Sequence, residues 1–100
     1  MNEMATQFSF DQAGTLPGML GLEWIDAQPG LVQGRLAVQK RHMAPNGYLH
    51  AATVVALADT ACGFGCKISL PRDASGFTTA ELKTNFIGTA RQGDVSCVAR

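Results

Sequence analysis

Charge of either sign is scarce in this sequence: Lys+Arg and Asp+Glu number 8 each among 100 residues, so the formal net charge is zero. Nucleic-acid-binding domains carry a basic face or stripe, and because none is present we expect no nucleic-acid partner. Repeats, linkers and low-complexity runs are absent as well. The length supports one small domain, residues 1–100, and because a small domain buries a limited share of its surface, association of several copies would stabilise it.

Cysteine is also rare, with Cys62, Cys66 and Cys97 as the whole set. An odd number without a paired framework indicates free thiols in a reducing compartment. Cys62 and Cys66 lie four residues apart, but no second pair of ligands accompanies them. We therefore expect no metal site and interpret the cysteines as small buried apolar side chains.

Neither a signal peptide nor a membrane span is predicted. The first ten residues lack a basic segment followed by an apolar one. The most apolar stretch, residues 49–66, carries Asp59 near its centre, which would cost about 2.5–3.5 kcal/mol on insertion into a bilayer. We therefore predict a cytoplasmic protein without a membrane partner.

The order of local patterns predicts an α+β fold in which an antiparallel sheet wraps around one long central helix. The helix covers residues 51–66, and because this run is apolar all round we expect it to be buried. The other predicted elements are an N-terminal helix closed by residues 11–15 with a break at 16–18, strands at 22–26 and 31–38 around a turn at 28–30, a loop at 41–49, a turn at 73–76, strands at 77–87 and 95–99, and a turn at 88–93.

Asp59 is the candidate catalytic residue because it is the only carboxylate between Leu49 and Lys67. A buried ionised carboxylate is costly unless it is paired, and the positions one helical turn away are Val55 and Gly63. Asp59 could bond to backbone amides or lie on a small wet face of the helix. We favour the alternative, in which it faces a cleft and takes part in chemistry there.

The start of the same helix is a second candidate. Residues 45–50 lead directly into Ala51, so the free N–H groups of Ala51 and Ala52 point out of the helix N-terminus. These donors and the helix dipole suit a carbonyl oxygen that gains negative charge, although an ordinary capped helix start has the same pattern. Ala51 and Asp59 are separated by about 12 Å along the helix. If both act on one carbonyl, two helices packed antiparallel about a two-fold axis must supply them, which predicts a dimer.

Three separated motifs resemble the PaaI-like branch (phenylacetic-acid-degradation type) of hotdog-fold acyl-CoA thioesterases. Residues 46–52 read NGYLHAA, similar to the family pattern N-G-x-x-H-G-G, and Asp59 follows at the family's spacing. Residues 79–86 read TAELKTNF, similar to T-x-E/D-L-x-x-N-F, and a Gly-Asp turn follows at 93–94. The resemblance covers residues 20–100. At residues 50–52 the sequence reads H-A-A where the family has H-G-G, and the added methyl groups narrow the approach of a substrate to the helix start. We also expect the family's C-terminal strands to be missing after residue 100.

The resemblance implies hydrolysis of an acyl-CoA thioester, aryl or of short or medium chain length, to the free acid and CoA, without cofactor or metal. It implies Asp59 as nucleophile or general base, the Ala51 N–H as oxyanion donor, Asn46 as the group that orients thioester or water, and Thr79 as a helper beside Asp59. His50 is expected to support the loop and helix start.

Further contacts with the substrate are expected at both ends of the acyl-CoA molecule. The residues expected to contact the acyl group and thioester are Gly47, His50, Ala52, Leu57, Phe64 and Phe86. The candidates for the CoA phosphates are Arg41, Lys67, Arg72 and Arg91. The expected assembly is at least a homodimer, with a homotetramer as the larger alternative.

Two rival functions remain open from the sequence. A non-catalytic module that binds and senses acyl-CoA would have the same cleft. A hotdog dehydratase would use His50 with Asp59, although such enzymes resemble a different motif. A purely structural oligomerisation domain would leave Asp59 unexplained. The residues alone do not determine which acyl chain the substrate carries, whether the assembly is a dimer or a tetramer, or whether Asp59 acts as nucleophile or as base.

Overall fold

A three-stranded antiparallel sheet packed against one long helix is the framework of the computed structural model, which describes residues 1–100. The elements in chain order are α1 (Glu3–Asp11), α2 (Leu16–Leu20), β1 (Glu23–Gln28), β2 (Leu31–Ala37), a one-turn 3₁₀ helix (Lys40–His42), α3 (Ala51–Ile68) and β3 (Asp94–Ala99). The strand order is β1-β2-β3, with α3 packed on β2 and β3. The predicted α+β class, with an antiparallel sheet on one long central helix, is confirmed.

A two-residue turn closes the β1–β2 hairpin. Gln28 pairs with Leu31, so Pro29 and Gly30 form the connection. Gly30 has φ +86°, a conformation that residues with a side chain rarely adopt. The turn predicted at residues 28–30 therefore lies where the sequence indicated, and β1 runs two residues further than its predicted end.

A β-bulge at Ile25 sets which side chains of β1 face the helix. The register shifts between Trp24 and Asp26, so the buried residues Trp24 and Ala27 are three positions apart rather than two. Gly34 lies opposite Trp24 on β2, where a Cβ atom would come within 2.6 Å of the indole ring. Glycine at this position lets the large indole lie flat against the sheet.

Aromatic rings join the N-terminal helix to the rest of the core. The Phe8 ring of α1 stacks on the Phe64 ring of α3 with centroids 4.0 Å apart, and Phe64 meets the Trp24 ring edge-on at 5.0 Å. Such ring pairs contribute about 0.5–1.5 kcal/mol each beyond the area that they bury. The core consists of Ala5, Phe8, Leu22, Trp24, Ala27, Val32, Leu36, Leu57 and Ala61.

The N-terminal helix ends where the sequence predicts, because α1 ends at Asp11 with Gln12 as its C-cap, but residues 16–18 begin a second helix, α2, instead of forming a break. Pro17 lies in the first helical turn, where its missing N–H leaves no helical hydrogen bond unmade. The helix ends instead at Gly21, which adopts a left-handed conformation with φ +74°.

Only one face of α3 is buried within the chain, so the expectation of a helix buried all round is wrong. Thr53, Leu57 and Ala61 recur every fourth residue and face the sheet. Ala58 is exposed on another side of the helix. A single sheet covers a single face, and other positions of α3, among them Ala58 and Cys62, stay exposed. By length and composition alone α3 could cross a membrane, but its Leu57 and Ala61 belong to the core shared with the sheet.

The cysteines are likewise more accessible than the sequence predicts. Cys62 and Cys66 are exposed, and Cys97 on β3 is half-buried. The two helical thiols lie on the face of α3 that the sheet does not reach, which is why their small apolar character does not lead to burial.

The strand predicted over residues 77–87 is not formed. This segment has no strand pairing, and its apolar side chains Phe77, Leu82, Phe86 and Ile87 are all exposed. Alternating residue types favour an extended chain, but a strand also requires a neighbour that accepts and donates its hydrogen bonds. β3 pairs with β2 instead.

Gln12 provides a test of the polar contact at the centre of this core. Its Oε1 accepts a hydrogen bond from Trp24 Nε1–H at 2.7 Å, and its Nε2 donates to the Leu22 carbonyl at 2.8 Å. We expect Gln12→Ala to lower the free energy of unfolding by about 2 kcal/mol or more, because two buried groups lose their partner. Urea unfolding followed by circular dichroism measures this.

The matched control is Gln7→Ala, which removes an exposed hydrogen bond to Asp11 and should change stability by about 0.5 kcal/mol or less. Equal losses in the two variants would contradict the role given to Gln12.

Candidate active site

The buried side chain of His42 fixes the loop before α3. Its Nδ1 accepts a hydrogen bond from the Gln39 N–H at 2.9 Å, and its Nε2 lies 2.7 Å from the Leu20 carbonyl oxygen. Because Nδ1 accepts, Nε2 carries the proton and donates to Leu20. Only 1% of the residue is exposed. His42 therefore joins the end of α2 to the 3₁₀ helix.

The backbone carbonyl of His42 positions the start of α3. It accepts hydrogen bonds from the His50 N–H and from Thr53 Oγ1–H, each at 3.0 Å. Sequence reasoning missed both His42 and Thr53. Lys40 and Arg41 precede His42 and give the segment the composition of a solvated basic loop, so nothing local signals its burial.

His50 caps α3. Its Nδ1 accepts a hydrogen bond from the Ala52 N–H at 2.9 Å. The Ala52 N–H is therefore engaged, whereas the Ala51 N–H forms no hydrogen bond within the chain. Of the two donors expected at the helix start, Ala51 is the one available to a substrate oxygen, with the positive end of the helix dipole behind it.

Asn46 shapes the turn before this helix start. Its Oδ1 accepts a hydrogen bond from the Tyr48 N–H at 3.2 Å, and the Ala44 N–H donates to the Tyr48 carbonyl at 2.7 Å. Gly47 has φ +87° and nothing within 4 Å of the position of a Cβ atom. The carboxamide oxygen of Asn46 is thus used locally, while its NH₂ group forms no hydrogen bond within the chain.

Thr79 contacts the carboxylate of Asp59 although the two residues are twenty positions apart. Thr79 Oγ1–H donates to Asp59 Oδ1 at 3.0 Å, and Oδ2 lies 3.4 Å away. The Phe77 ring holds the segment that carries Thr79 against α3. A Cβ atom added at Gly63 would lie only 3.3 Å from this ring. Asp59 is half-buried rather than buried and forms no salt bridge.

The residues expected to contact the substrate lie in different environments. Leu57 and Phe64 face the core of their own chain, where Leu57 is 2% exposed and Phe64 stacks on Phe8. The sequence could not separate the two faces of an apolar helix, and the inward face takes these large side chains. Phe86 is 52% exposed on the unpaired segment. Gly47, His50 and Ala52 are exposed around the helix start, as a substrate contact requires.

A cavity of about 290 Å³ lies beside the C-terminal half of α3. Cys62 and Cys66 line it, three and seven residues beyond Asp59 and on the same side of the helix. Burial raises the pKa of the nearby Cys97 thiol, and Cys62 adds to the rise. A raised pKa leaves less thiolate at neutral pH, so Cys97 is poorly suited to act as a nucleophile.

Helix length separates the functional groups within one chain. Ala51 and Asp59 are about 12 Å apart along α3, and His50 and Asp59 about 13 Å. One chain therefore cannot bring its own Asp59 to a thioester bound at its own Ala51 N–H. No group of three or more His, Cys, Asp or Glu side chains is placed to hold a metal ion.

Comparison with known proteins gives one family match and several similar structures. The family model described as Thioesterase superfamily matches residues 46–100. The protein ComA2 of Bacillus subtilis is 28% identical over 89 residues, which are 89% of this chain and 71% of that protein. The matched segment contains the helix start, Asp59 and Thr79.

Three of the similar solved structures illustrate the shared fold. Thioesterase PA1618 of Pseudomonas aeruginosa, solved as a mutant, has a TM-score of 0.89 at 23% identity, covering 96% of this chain and 69% of its own. A mutant of the thioesterase SAV0944 of Staphylococcus aureus has a TM-score of 0.77 at 27% identity, with 82% and 68% covered. A mutant of the phenylacetic acid degradation protein PaaI of Thermus thermophilus has 0.73 at 20% identity, also with 82% and 68% covered.

His50 provides a test of the helix cap. We expect His50→Ala to lower the free energy of unfolding by about 1 kcal/mol, because the Ala52 N–H loses its acceptor. His50→Asn supplies another side-chain acceptor at the N-cap and should retain most of the stability. Thermal unfolding and hydrogen exchange at the Ala52 amide measure the effect. Unchanged exchange in His50→Ala would contradict the capping role.

Proposed function

Because this chain belongs to the thioesterase superfamily, we propose that it hydrolyses an acyl-CoA thioester, aryl or of short or medium chain length, to the free acid and CoA. The predicted resemblance to PaaI-like hotdog thioesterases is confirmed by the family match and by the fold shared with PaaI. The observation that supports the proposed chemistry is the Asp59 carboxylate, which Thr79 contacts and no cation neutralises.

Asp59 can act on the thioester in either of two ways. As a general base it removes a proton from water while the water oxygen attacks the thioester carbon, after which the C–S bond breaks and the CoA sulfur leaves and takes up a proton. As a nucleophile its oxygen attacks the thioester carbon, the C–S bond breaks, and the CoA sulfur leaves and takes up a proton. Water then hydrolyses the resulting anhydride to the free acid and the Asp59 carboxylate. In both routes the hydrogen bond from Thr79 holds one carboxylate oxygen and leaves the other freer to react.

The Ala51 N–H is the proposed partner of the carbonyl oxygen. Negative charge develops on that oxygen when the thioester carbon is attacked, and a backbone donor at a helix N-terminus stabilises it without reorganising. A methyl side chain at Ala51 leaves the donor approachable. His50 and His42 act as positioning residues, since their hydrogen bonds hold the helix start.

Because Ala51 and Asp59 are about 12 Å apart along α3, we infer that two copies of the chain share each site. A two-fold axis beside α3 would place the start of one helix next to the middle of the other, because an isologous contact exchanges equivalent positions. The uncovered face of α3 supports this arrangement, since Ala58 and Cys62 are exposed next to Asp59. We therefore propose at least a homodimer as the active form.

Asp59→Asn provides the first test of function. We expect release of free thiol from acyl-CoA esters to fall by about 10²–10⁴-fold, because the amide cannot serve as base or carboxylate nucleophile. Thr79→Val should cause a smaller loss and Thr79→Ser should restore it. A panel of aryl, short-chain and medium-chain esters, followed with a thiol reagent, also identifies the acyl class.

The control is Asp73→Asn, which alters an exposed carboxylate away from α3 and should leave the rate unchanged. Full activity in a folded Asp59→Asn protein would refute the mechanism. Binding of every ester without thiol release by the wild type would favour an acyl-CoA-binding module instead.

Mixing two inactive variants tests the shared site. Ala51→Pro removes the N–H donor, and proline is tolerated there because Ala51 is the first helical residue and His50 has ψ 133°, the extended conformation that precedes proline. After subunit exchange with Asp59→Asn, half of the dimers are mixed, and each contains one intact site. We expect about one quarter of the wild-type activity to return.

Each variant alone, taken through the same exchange, serves as the control and should stay inactive. A mixture that remains as inactive as its components would indicate that each site uses Ala51 and Asp59 of the same chain or does not use both.

A further inference from the structure

A second cavity lies beside the turn that leads into α3. Its volume is about 490 Å³, and its walls come from the residues after β2, the 3₁₀ helix, the turn at residues 43–47 and the loop before β3. Two lining residues, Lys40 and Arg91, are cations, and no lining residue is acidic. The cavity therefore carries positive charge, and its lining includes Gly47, four residues before Ala51 at the start of α3.

Neither cation is neutralised by the protein. The salt bridges of the chain join Arg35 to Glu23 at 3.0 Å and Lys67 to Asp11 at 3.6 Å. Lys40 and Arg91 take part in none. Two unpaired cations that share a cavity suit an anion with several acceptor oxygens, and a phosphate or pyrophosphate group has this chemistry.

Arg91 is held in place before any ligand binds. Its Nη2–H donates to the Tyr48 hydroxyl at 2.7 Å, and its guanidinium carbon lies 4.3 Å from the centre of the Tyr48 ring. The neighbouring Ala90 carbonyl accepts a hydrogen bond from the Leu49 N–H at 2.8 Å. A side chain already fixed in one geometry loses less conformational entropy when it binds. The turn that starts α3 thus also orients the cation at the cavity.

The other basic candidates from the sequence are placed differently. Lys67 pairs with Asp11. The Arg41 guanidinium lies against Gly21, where an added Cβ atom would be 2.8 Å from Nη2. Arg72 lines none of the described cavities. Arg91 alone of the four lines the cavity near the helix start, and Lys40, which sequence reasoning did not single out, is its partner.

We propose that Lys40 and Arg91 bind the phosphate groups of the thioester's carrier, with Tyr48 as the positioning residue for Arg91. This inference rests on the proposed thioesterase function and makes the enzyme selective for carriers that bear phosphate. The phosphate-bearing end is anchored in the cavity, and the pantetheine arm extends along the turn at 43–47 toward the Ala51 N–H. CoA and a phosphopantetheine group share this chemistry.

Steady-state kinetics with matched substrates test the proposal. One acyl group is presented on CoA, on phosphopantetheine and on N-acetylcysteamine, which has no phosphate. We expect Lys40→Ala and Arg91→Ala each to raise KM for the CoA ester by about tenfold, as the loss of a charged hydrogen bond predicts, with kcat changed by less than about twofold. Hydrolysis of the N-acetylcysteamine ester should be unchanged.

Three further variants separate binding from structure. Arg72→Ala, which removes an exposed cation outside the cavity, should leave every KM unchanged. Arg91→Lys keeps the charge and should recover part of the affinity. Tyr48→Phe keeps the ring but loses the hydrogen bond to Arg91, and should raise KM for the CoA ester by about two- to fivefold, within the range of a single weakened hydrogen bond. A phosphopantetheine ester affected as strongly as the CoA ester would place both cations on the phosphate next to pantetheine, and an effect confined to CoA would place them on the nucleotide phosphates.

Calorimetric titration with CoA and with adenosine 3′,5′-bisphosphate gives a readout that does not depend on hydrolysis. Weaker binding by Lys40→Ala and Arg91→Ala, but not by Arg72→Ala, would support the phosphate site even if the wild type released no thiol. An unchanged KM for the CoA ester in both cavity variants would overturn this inference while leaving the hydrolytic activity established. Equal losses on CoA and N-acetylcysteamine esters would also overturn it.

Discussion

Buried His42 is the contact on which the candidate site depends. Through its ring it joins the Leu20 carbonyl to the Gln39 N–H, and through its carbonyl it accepts from His50 and Thr53. The bond from Thr53 is buried and the two ring bonds are partly buried, and an unmade buried hydrogen bond costs about 1–3 kcal/mol. The imidazole therefore holds the first turn of α3 to the end of α2 and to the 3₁₀ helix. The free Ala51 N–H has a defined position because this network is complete.

The long helix α3 carries two surfaces of similar composition with different environments. One face supplies Leu57 and Ala61 to the core, whereas Ala58, Cys62 and Cys66 face outward. Asp59 and Thr79 lie at the boundary between the two. The half-buried carboxylate is oriented there by the hydrogen bond from Thr79. The helix thus provides a backbone donor at its start and a carboxylate at its middle, about 12 Å apart, and the proposed dimer would bring the two together.

The turn between the 3₁₀ helix and α3 serves both ends of the proposed substrate. Asn46 and Gly47 give it a tight backbone, and Tyr48 links it to Arg91. The same few residues therefore place the proposed oxyanion donor and orient Arg91 at the adjacent cavity. Both roles require a fixed backbone, which explains why the turn is held by several hydrogen bonds although its residues are exposed.

The amino-acid sequence alone determined the local elements and their order. The Ala-rich run at 51–66 indicated the helix, the turn at 28–30 the hairpin, and the isolated charge of Asp59 a candidate site, because periodicity and turn chemistry act over a few residues. The resemblance to a family supplied Thr79 as a neighbour of Asp59, which no local pattern indicates.

Only the tertiary structure decided which face of α3 turns inward, so that Leu57 and Phe64 joined the core and Cys62 and Cys66 stayed outside. It also decided the bulge at Ile25, the burial of His42 within a basic segment, and the unpaired state of residues 77–87. These features depend on contacts between residues far apart in sequence, and the physical reason is that burial and pairing belong to the packed chain, whereas periodicity belongs to each segment.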